Sequence, residues 1–192
     1  MKPLPPLMTT LFALACAVAL LGRNALADPD GVSISQSGTG LTVTLINPPD
    51  GTSGLTRNYA TDKGSCNGGP APCYIFSGIN GTAPLPVTTS ACTVVTNASV
   101  PTAYCAATGV SSITLVAAKG GTIGYDASGD SEMGQHCFPA ALTYKAGGGV
   151  FSVLAHDGCA ETIVCTDAST GTIDADASDA IEHCTKAFVQ RH

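Results

Sequence analysis

The fold of this chain is decided by residues 110–184, VSSITLVAAKGGTIGYDASGDSEMGQHCFPAALTYKAGGGVFSVLAHDGCAETIVCTDASTGTIDADASDAIEHC. Short β-prone segments recur in this stretch at steps close to ten residues, with a double step around Met133, in a predicted loop: SITL at 112–115, TIGY at 122–125, LTY at 142–144, SVL at 152–154, TIV at 162–164 and TID at 172–174. Glycine and small polar residues fill the intervals. A step of this length has room for one short strand and one turn but not for a helix, so the stretch is predicted to be all β.

Such short segments become stable only by stacking, because a two-residue β-branched pair cannot bury itself alone. We therefore predict an all-β fold: a small parallel β-solenoid or β-roll in residues 92–192, stapled by disulfides and closed by a short C-terminal cap. In this fold Ile123, Val153, Ile163 and Ile173 stack in one parallel sheet or on its opposite face. The alternative is an antiparallel β-sandwich, whose turns recur every roughly 8–12 residues.

The rest of the chain divides into two further regions. Residues 1–27 are predicted to be a secretory signal peptide, because an apolar run over 11–21 follows Lys2 and the small-x-small sequence Ala25-Leu26-Ala27 follows the run. Residues 28–91 are predicted to be an N-terminal region of strands and loops, with a long loop rich in proline and glycine over 47–72. At the other end, the segment 179–189 is predicted to be helical or irregular and to form the cap.

The charge balance excludes some partners. The chain has 14 acidic residues and 8 basic ones. Removal of the signal peptide takes away Lys2 and Arg23, which leaves six bases against the 14 acids and a net charge of −8. An acidic surface argues against nucleic acid and anionic membranes as partners. No stable membrane span is expected after cleavage, since the apolar run of the signal is too short.

The cysteines indicate an oxidising compartment. Of the nine, Cys16 lies in the predicted signal peptide and eight remain. An even number in a secreted chain predicts a disulfide framework and an extracellular location. The simplest local pairs are Cys66–Cys73 and Cys92–Cys105. The last four cysteines are expected to tie the repeats and the cap together.

Two segments resemble a known family. Residues 92–115, CTVVTNASVPTAYCAATGVSSITL, are similar to the cysteine-flanked lead-in of secreted bacterial hemolysin-type (RTX-like) repeat proteins. The closing segments ETIVC at 161–165 and TGTIDAD at 170–176 are similar to the last repeats of such proteins. The resemblance covers about half of the chain and implies a parallel β-roll that binds Ca²⁺ in its turns, with the repeat G-G-x-G-x-D-x-U-x.

The repeats of this chain depart from that pattern. With Val153 as the apolar position, the glycines remain as Gly147 and Gly149, but the aspartate is replaced by Phe151. No repeat keeps both the glycines and the aspartate, so we predict a degenerate roll in which Ca²⁺ is optional or lost. The remaining candidate calcium ligands are acidic residues of the last repeats: Asp157, Glu161, Asp167, Asp174, Asp176 and Asp179. The alternative is that these acids cap turns and keep the surface soluble.

Function follows less directly than fold. The leading hypothesis is a secreted, non-enzymatic β-solenoid of structural or binding type, with no catalytic residues and an extracellular or cell-surface partner that the sequence does not identify. The alternatives are a surface adhesin or effector, and a small extracellular enzyme that acts on glycans. An enzyme should bring acids together with His136 or His156 in a cleft. A structural module should show only shallow turns and a regular ladder of strands.

Overall fold

The computed structural model describes residues 31–46, 54–79, 87–97, 100–117, 119–126, 137–166 and 170–192; the predicted signal peptide lies outside them. Every regular element of these residues is a β-strand, which confirms the all-β prediction. One sheet has six strands in the order β1 (Gly31–Ser37), β2 (Gly40–Ile46), β7 (Ser112–Ala117), β9 (Ala141–Ala146), β11 (Thr162–Cys165), β13 (Ala180–Glu182). The other has eight in the order β14 (Ala187–Arg191), β12 (Thr170–Ala175), β10 (Val150–Ala155), β8 (Gly121–Asp126), β3 (Gly54–Ala60), β4 (Cys73–Ile79), β6 (Val100–Ala106), β5 (Cys92–Asn97).

From β7 onward the chain alternates between the two sheets, and its strands pair in parallel. In the eight-stranded sheet, Ile123 is in register with Val153, and Val153 with Ile173. In the six-stranded sheet, Tyr144 is in register with Ile163. Ten residues therefore carry the chain from one sheet to the other. The segments predicted to be strands at this step are strands, and Ile163 lies in the sheet opposite the other three.

Antiparallel pairs make both sheets mixed, so a simple parallel solenoid does not describe the chain. β1 pairs antiparallel with β2, and β3, β4, β6 and β5 pair antiparallel in series. The segment 92–106, predicted to open the repeats, is instead the β5–β6 hairpin. The physical reason is the two-residue connection between these strands, because a parallel pair needs a much longer crossover.

Two predictions of local structure were wrong. The predicted loop 47–72 contains β3, which lies between β4 and β8 and buries Leu55 completely. The predicted helical or irregular cap contains β13 and β14, where Ile181 pairs with Ile163 and Val189 with Ile173. Both segments are weakly patterned, and pairing with neighbouring strands decides their structure.

A continuous apolar core lies between the inward faces of the sheets. It includes the fully buried Leu41, Leu115, Ile123, Val153 and Ile163. Close packing against it requires glycine at Gly171 in β12, because a Cβ there would collide with the carbonyl oxygen and the ring of Phe151. The strands can therefore pack closely because apolar and small residues alternate along them.

Four disulfides join the eight cysteines that follow the predicted signal peptide. Cys66–Cys73 and Cys92–Cys105 confirm the predicted local pairs. Cys137–Cys159 and Cys165–Cys184 connect segments 22 and 19 residues apart within the parallel part. The framework is consistent with an extracellular or otherwise oxidising location. The described part of the chain holds no helix of the length and apolarity that a membrane crossing requires.

Candidate functional site

Four of the predicted calcium ligands lie in two neighbouring turns that lead from the eight-stranded sheet to the six-stranded sheet. Residues 156–161 link β10 to β11 and residues 176–179 link β12 to β13, and we call them the acidic turns. Asp157 and Glu161 are in the first turn, and Asp176 and Asp179 are in the second. Parallel pairing of β10 with β12 and of β11 with β13 places one turn beside the other.

The aspartates of the second turn accept hydrogen bonds from the backbone of both turns. Asp176 Oδ2 accepts the N–H groups of Asp157 at 2.9 Å and of Gly158 at 2.6 Å. Asp179 Oδ1 accepts the N–H of Glu161 at 2.9 Å, and its Oδ2 accepts the N–H of Asp176 at 2.9 Å. These carboxylates therefore satisfy backbone donors that a turn leaves without a partner in the sheet.

The acids of the first turn face an arginine from the N-terminal region. Arg57, in β3, forms an ion pair with Asp157 and lies 3.3 Å from Glu161 Oε1. Its side chain is 8% exposed and that of Glu161 is 3% exposed. The guanidinium carbon also lies 5.2 Å from the Phe138 ring centre and 5.7 Å from that of Tyr144. Arg57 is thus held by two carboxyl groups and two aromatic faces.

Burial dominates the proton affinities in this cluster. Burial raises the pKa of Glu161 from its ordinary value of 4.5 to about 8, although Arg57 acts in the opposite direction. Burial alone would lower the pKa of Arg57, but Tyr144, Glu161 and Asp157 raise it above its ordinary value. Burial also raises the pKa of Tyr144. Burial therefore favours the protonated form of Glu161, although its carboxyl group lies beside the charged Arg57.

Asp174 lies apart from the acidic turns. Its Oδ1 is 2.9 Å from His192 Nε2. The ring of His192 is stacked on that of His156. Asp167 and His136, also singled out from the sequence, lie outside the described residues. The predicted ligand set is thus divided between two places, and calcium binding stays a prediction.

Sequence reasoning missed Arg57 and Tyr144 as members of this cluster. Arg57 lies in a segment whose composition predicts a loop, and its ion-pair partner Asp157 is 100 residues further along the chain. The one available signal was its rarity, because only eight residues of the chain are Lys or Arg. An arginine between the alternating residues of LTRNYA is a candidate for a buried partner once that segment is seen to be a strand.

The cluster can hold charge and protons inside the molecule, and its geometry favours turn capping over an open ligand site. Comparison with known proteins found no match, whether with protein-family models, curated protein sequences or solved structures.

Proposed function

We propose that this chain is a secreted, non-enzymatic β-roll of structural or binding type, related to the hemolysin-type repeat proteins it resembles. The observation that carries the proposal is the set of contacts that the acidic side chains make within the protein. In the acidic turns, carboxylate oxygens accept hydrogen bonds from backbone N–H groups or face Arg57. Groups that calcium would organise in an intact repeat are organised here by the protein itself.

The parallel part supports the roll. Strands from β7 to β14 alternate between two sheets, and like residues stack in register along each sheet. The antiparallel strands β4, β6 and β5 are then an extension at the edge of the roll, since β2 and β3 pair in parallel with β7 and β8.

A regular outer face supports a binding role. Ser35, Thr42, Thr114, Thr143 and Thr162 are in register across five strands of the six-stranded sheet. Their side chains are partly or fully exposed. Strands lie about 4.8 Å apart, so the row presents hydroxyl groups at regular intervals over about 19 Å. An adhesin would place its partner on such a row of hydroxyl groups.

Calcium fits the acidic turns poorly. The ion needs six to eight oxygen ligands. Arg57 already supplies a positive charge beside Asp157 and Glu161, and three oxygens of Asp176 and Asp179 already accept hydrogen bonds. We therefore expect calcium to be dispensable for folding, with binding no tighter than the weak extracellular range of roughly 10⁻⁴–10⁻³ M.

Calorimetric titration of the oxidised protein with CaCl₂, with melting followed in parallel, tests this expectation. We expect the same melting temperature in 1 mM EDTA and in sub-millimolar Ca²⁺. A clear rise in melting temperature that Asp176→Asn abolishes would overturn the proposal and restore a calcium role to the turns. The matched control is Glu182→Gln, which removes an exposed acid outside the acidic turns.

An enzyme that acts on glycans is the competing function, and Glu161 is the observation in its favour. A carboxyl group with a raised pKa beside a second carboxylate is typical of the general acid of a glycosidase. Against it, the Glu161 side chain is almost completely buried and faces Arg57. Incubation with insoluble polysaccharides separates the two functions. Adsorption without release of reducing ends supports a binding module, whereas release that Glu161→Gln abolishes would establish an enzyme.

A further inference from the structure

A second cluster of polar side chains lies on the outer face of the eight-stranded sheet. His156 directly follows β10, Asp174 belongs to β12 and His192 directly follows β14. The three strands are neighbours, and Ala155, Ala175 and Arg191 are aligned across them. His156 and His192 therefore follow aligned positions on the two strands that flank β12, which brings residues 36 positions apart in the chain to one point.

The geometry of the cluster is compact. The imidazole rings of His156 and His192 are parallel, with 3.9 Å between their centres. A nitrogen from each ring and an oxygen of Asp174 all lie within 4.8 Å of one another. The side chains are 45%, 35% and 39% exposed for His156, His192 and Asp174, which leaves room for the stacked rings to turn their nitrogens toward an ion at the surface.

Two carboxylate oxygens in this place each face an imidazole nitrogen. Asp174 Oδ1 is shielded from solvent and accepts no hydrogen bond of normal geometry, although His192 Nε2 is 2.9 Å away. Asp176 Oδ1 lies 3.8 Å from His156 Nε2. The other oxygen of Asp176 is fixed by two backbone N–H groups, so its carboxylate is held in place beside His156. Such a neighbour orients a ligating imidazole in many metal sites.

We propose that His156, Asp174 and His192 bind a divalent transition metal such as Zn²⁺ on the surface of the molecule. Imidazole nitrogen is a ligand for Zn²⁺, Cu²⁺ and Ni²⁺, whereas Ca²⁺ is bound by oxygen. Two nitrogens and one carboxylate oxygen are the three protein ligands of many zinc sites, with water as the fourth. The site differs in chemistry from the acidic turns, which it adjoins through His156, the first residue of the first turn, and through Asp176.

Bound metal would connect three strands that have no disulfide between them at this edge. The described disulfides join other segments: Cys66–Cys73, Cys92–Cys105, Cys137–Cys159 and Cys165–Cys184. Among the strands that the structure describes, β14 is the last of its sheet and pairs with β12 alone. A metal that links His192 to Asp174 and His156 holds this edge strand in place, so metal binding should raise the melting temperature.

The test is titration with ZnCl₂ of the oxidised protein, treated with EDTA, dialysed and prepared without a histidine tag. We expect saturable binding of one Zn²⁺ and a rise in melting temperature that Ca²⁺ at the same concentration does not produce. In NMR spectra the ring signals of His156 and His192 should shift on addition of Zn²⁺, while those of the exposed His183 should not.

Variants locate the site. His156→Ala and Asp174→Asn should each weaken Zn²⁺ binding by about tenfold or more, because each removes one ligand. The matched control His183→Asn should bind as the unchanged protein does; asparagine is chosen because position 183 has a φ of 59°, which it tolerates. Absence of saturable binding, or binding that neither variant weakens, would overturn the proposal and leave the cluster as an ion pair between His192 and Asp174.

The proposal of a Zn²⁺ site and the proposed function can each fail without the other, because different titrations test them. The Ca²⁺ titration reports on the acidic turns, and Asp176→Asn is its variant. The Zn²⁺ titration reports on the histidine cluster, where melting in EDTA before the addition of metal shows whether His156→Ala and Asp174→Asn have folded. In the wild-type protein, the shifts of the histidine ring signals in NMR spectra show whether Zn²⁺ binds at His156 and His192, and this measurement needs no variant.

Discussion

The antiparallel extension made of β4, β5 and β6 and the parallel part made of β7 to β14 are tied together in different ways. In the extension, the strands pair with partners close in the chain, and the cysteines of β4 and of β5 and β6 close loops of 7 and 13 residues. In the parallel part, each strand pairs with a strand from the next repeat, and the disulfides span 22 and 19 residues. Local pairing needs only a turn, whereas parallel pairing needs long-range contacts to hold each repeat on the next.

The acidic turns show what those long-range contacts are. Asp176 and Asp179 join one turn to the preceding one, and Arg57 joins the first turn to β3. The parallel part therefore depends on a stacked apolar core and on a buried polar network that the extension does not share. Four changes test this difference, from the largest expected effect to the smallest.

Replacement of Ile163 by aspartate should have the largest effect, because it would bury an unpaired charge in the core of the parallel part. We expect a loss of more than about 4 kcal/mol and an unfolded parallel part. Circular dichroism and thermal melting measure it, with Ile163→Val as the control that should cost only about 1 kcal/mol. Unchanged melting of Ile163→Asp would contradict its place in the core.

Removal of the arginine that links β3 to the first acidic turn comes next. Arg57→Met leaves Asp157 and Glu161 without their cation and should cost about 3 kcal/mol. Urea denaturation measures the loss, and Lys63→Met, at an exposed position, should cost little. The double variant Arg57→Met/Asp157→Asn should recover part of the loss. If Arg57→Met and Lys63→Met were equally stable, the ion pair between Arg57 and Asp157 would contribute nothing to the stability of the protein.

Disulfide removal compares the regions directly. Loss of Cys165–Cys184, by double replacement with alanine, should cost about 3 kcal/mol, and loss of Cys66–Cys73 about 2 kcal/mol, because the longer loop restricts the unfolded chain more. Denaturation of both double variants under the same conditions gives the difference. A larger loss from the short loop would show that native-state packing, and not loop length, decides the contribution.

The pH dependence of stability is the last of the four tests. Glu161 has a pKa of about 8 in the fold against an ordinary 4.5, so between these values the unfolded chain releases a proton that the folded chain keeps. Stability is then highest below about pH 4.5 for this group and falls as pH rises toward 8. The pKa of Asp179, also raised by burial, acts in the same direction at lower pH. We expect the melting temperature to fall by several degrees from pH 5 to pH 8.

Glu161→Gln is the variant that isolates this contribution. It keeps the shape of the protonated side chain and should flatten the melting temperature between pH 5 and pH 8. Glu182→Gln, which changes an exposed acid, should leave the pH profile as it is. A profile that Glu161→Gln does not alter would place the titrating group elsewhere.

Local patterns in the sequence were enough for the strands of the parallel part and for two disulfides. The apolar residues around Val153 and Ile173 recur at the step of one strand and one turn, and Cys66 and Cys92 have partners nearby in the chain. The candidate acids were also visible, since they stand between the strands. What they do there was not visible, because the hydrogen bonds that join the two turns link residues 18 or 19 positions apart in the chain.

What the sequence alone determined is the all-β class, the ten-residue step and the two local disulfides, because each depends on residue type and short spacing. The tertiary structure decided the rest: the direction of pairing around β5 and β6, the strands β3, β13 and β14, the burial of Arg57 against Asp157, and the meeting of His156 with His192. These features join residues tens of positions apart, and only the pairing of strands across the two sheets brings such residues together.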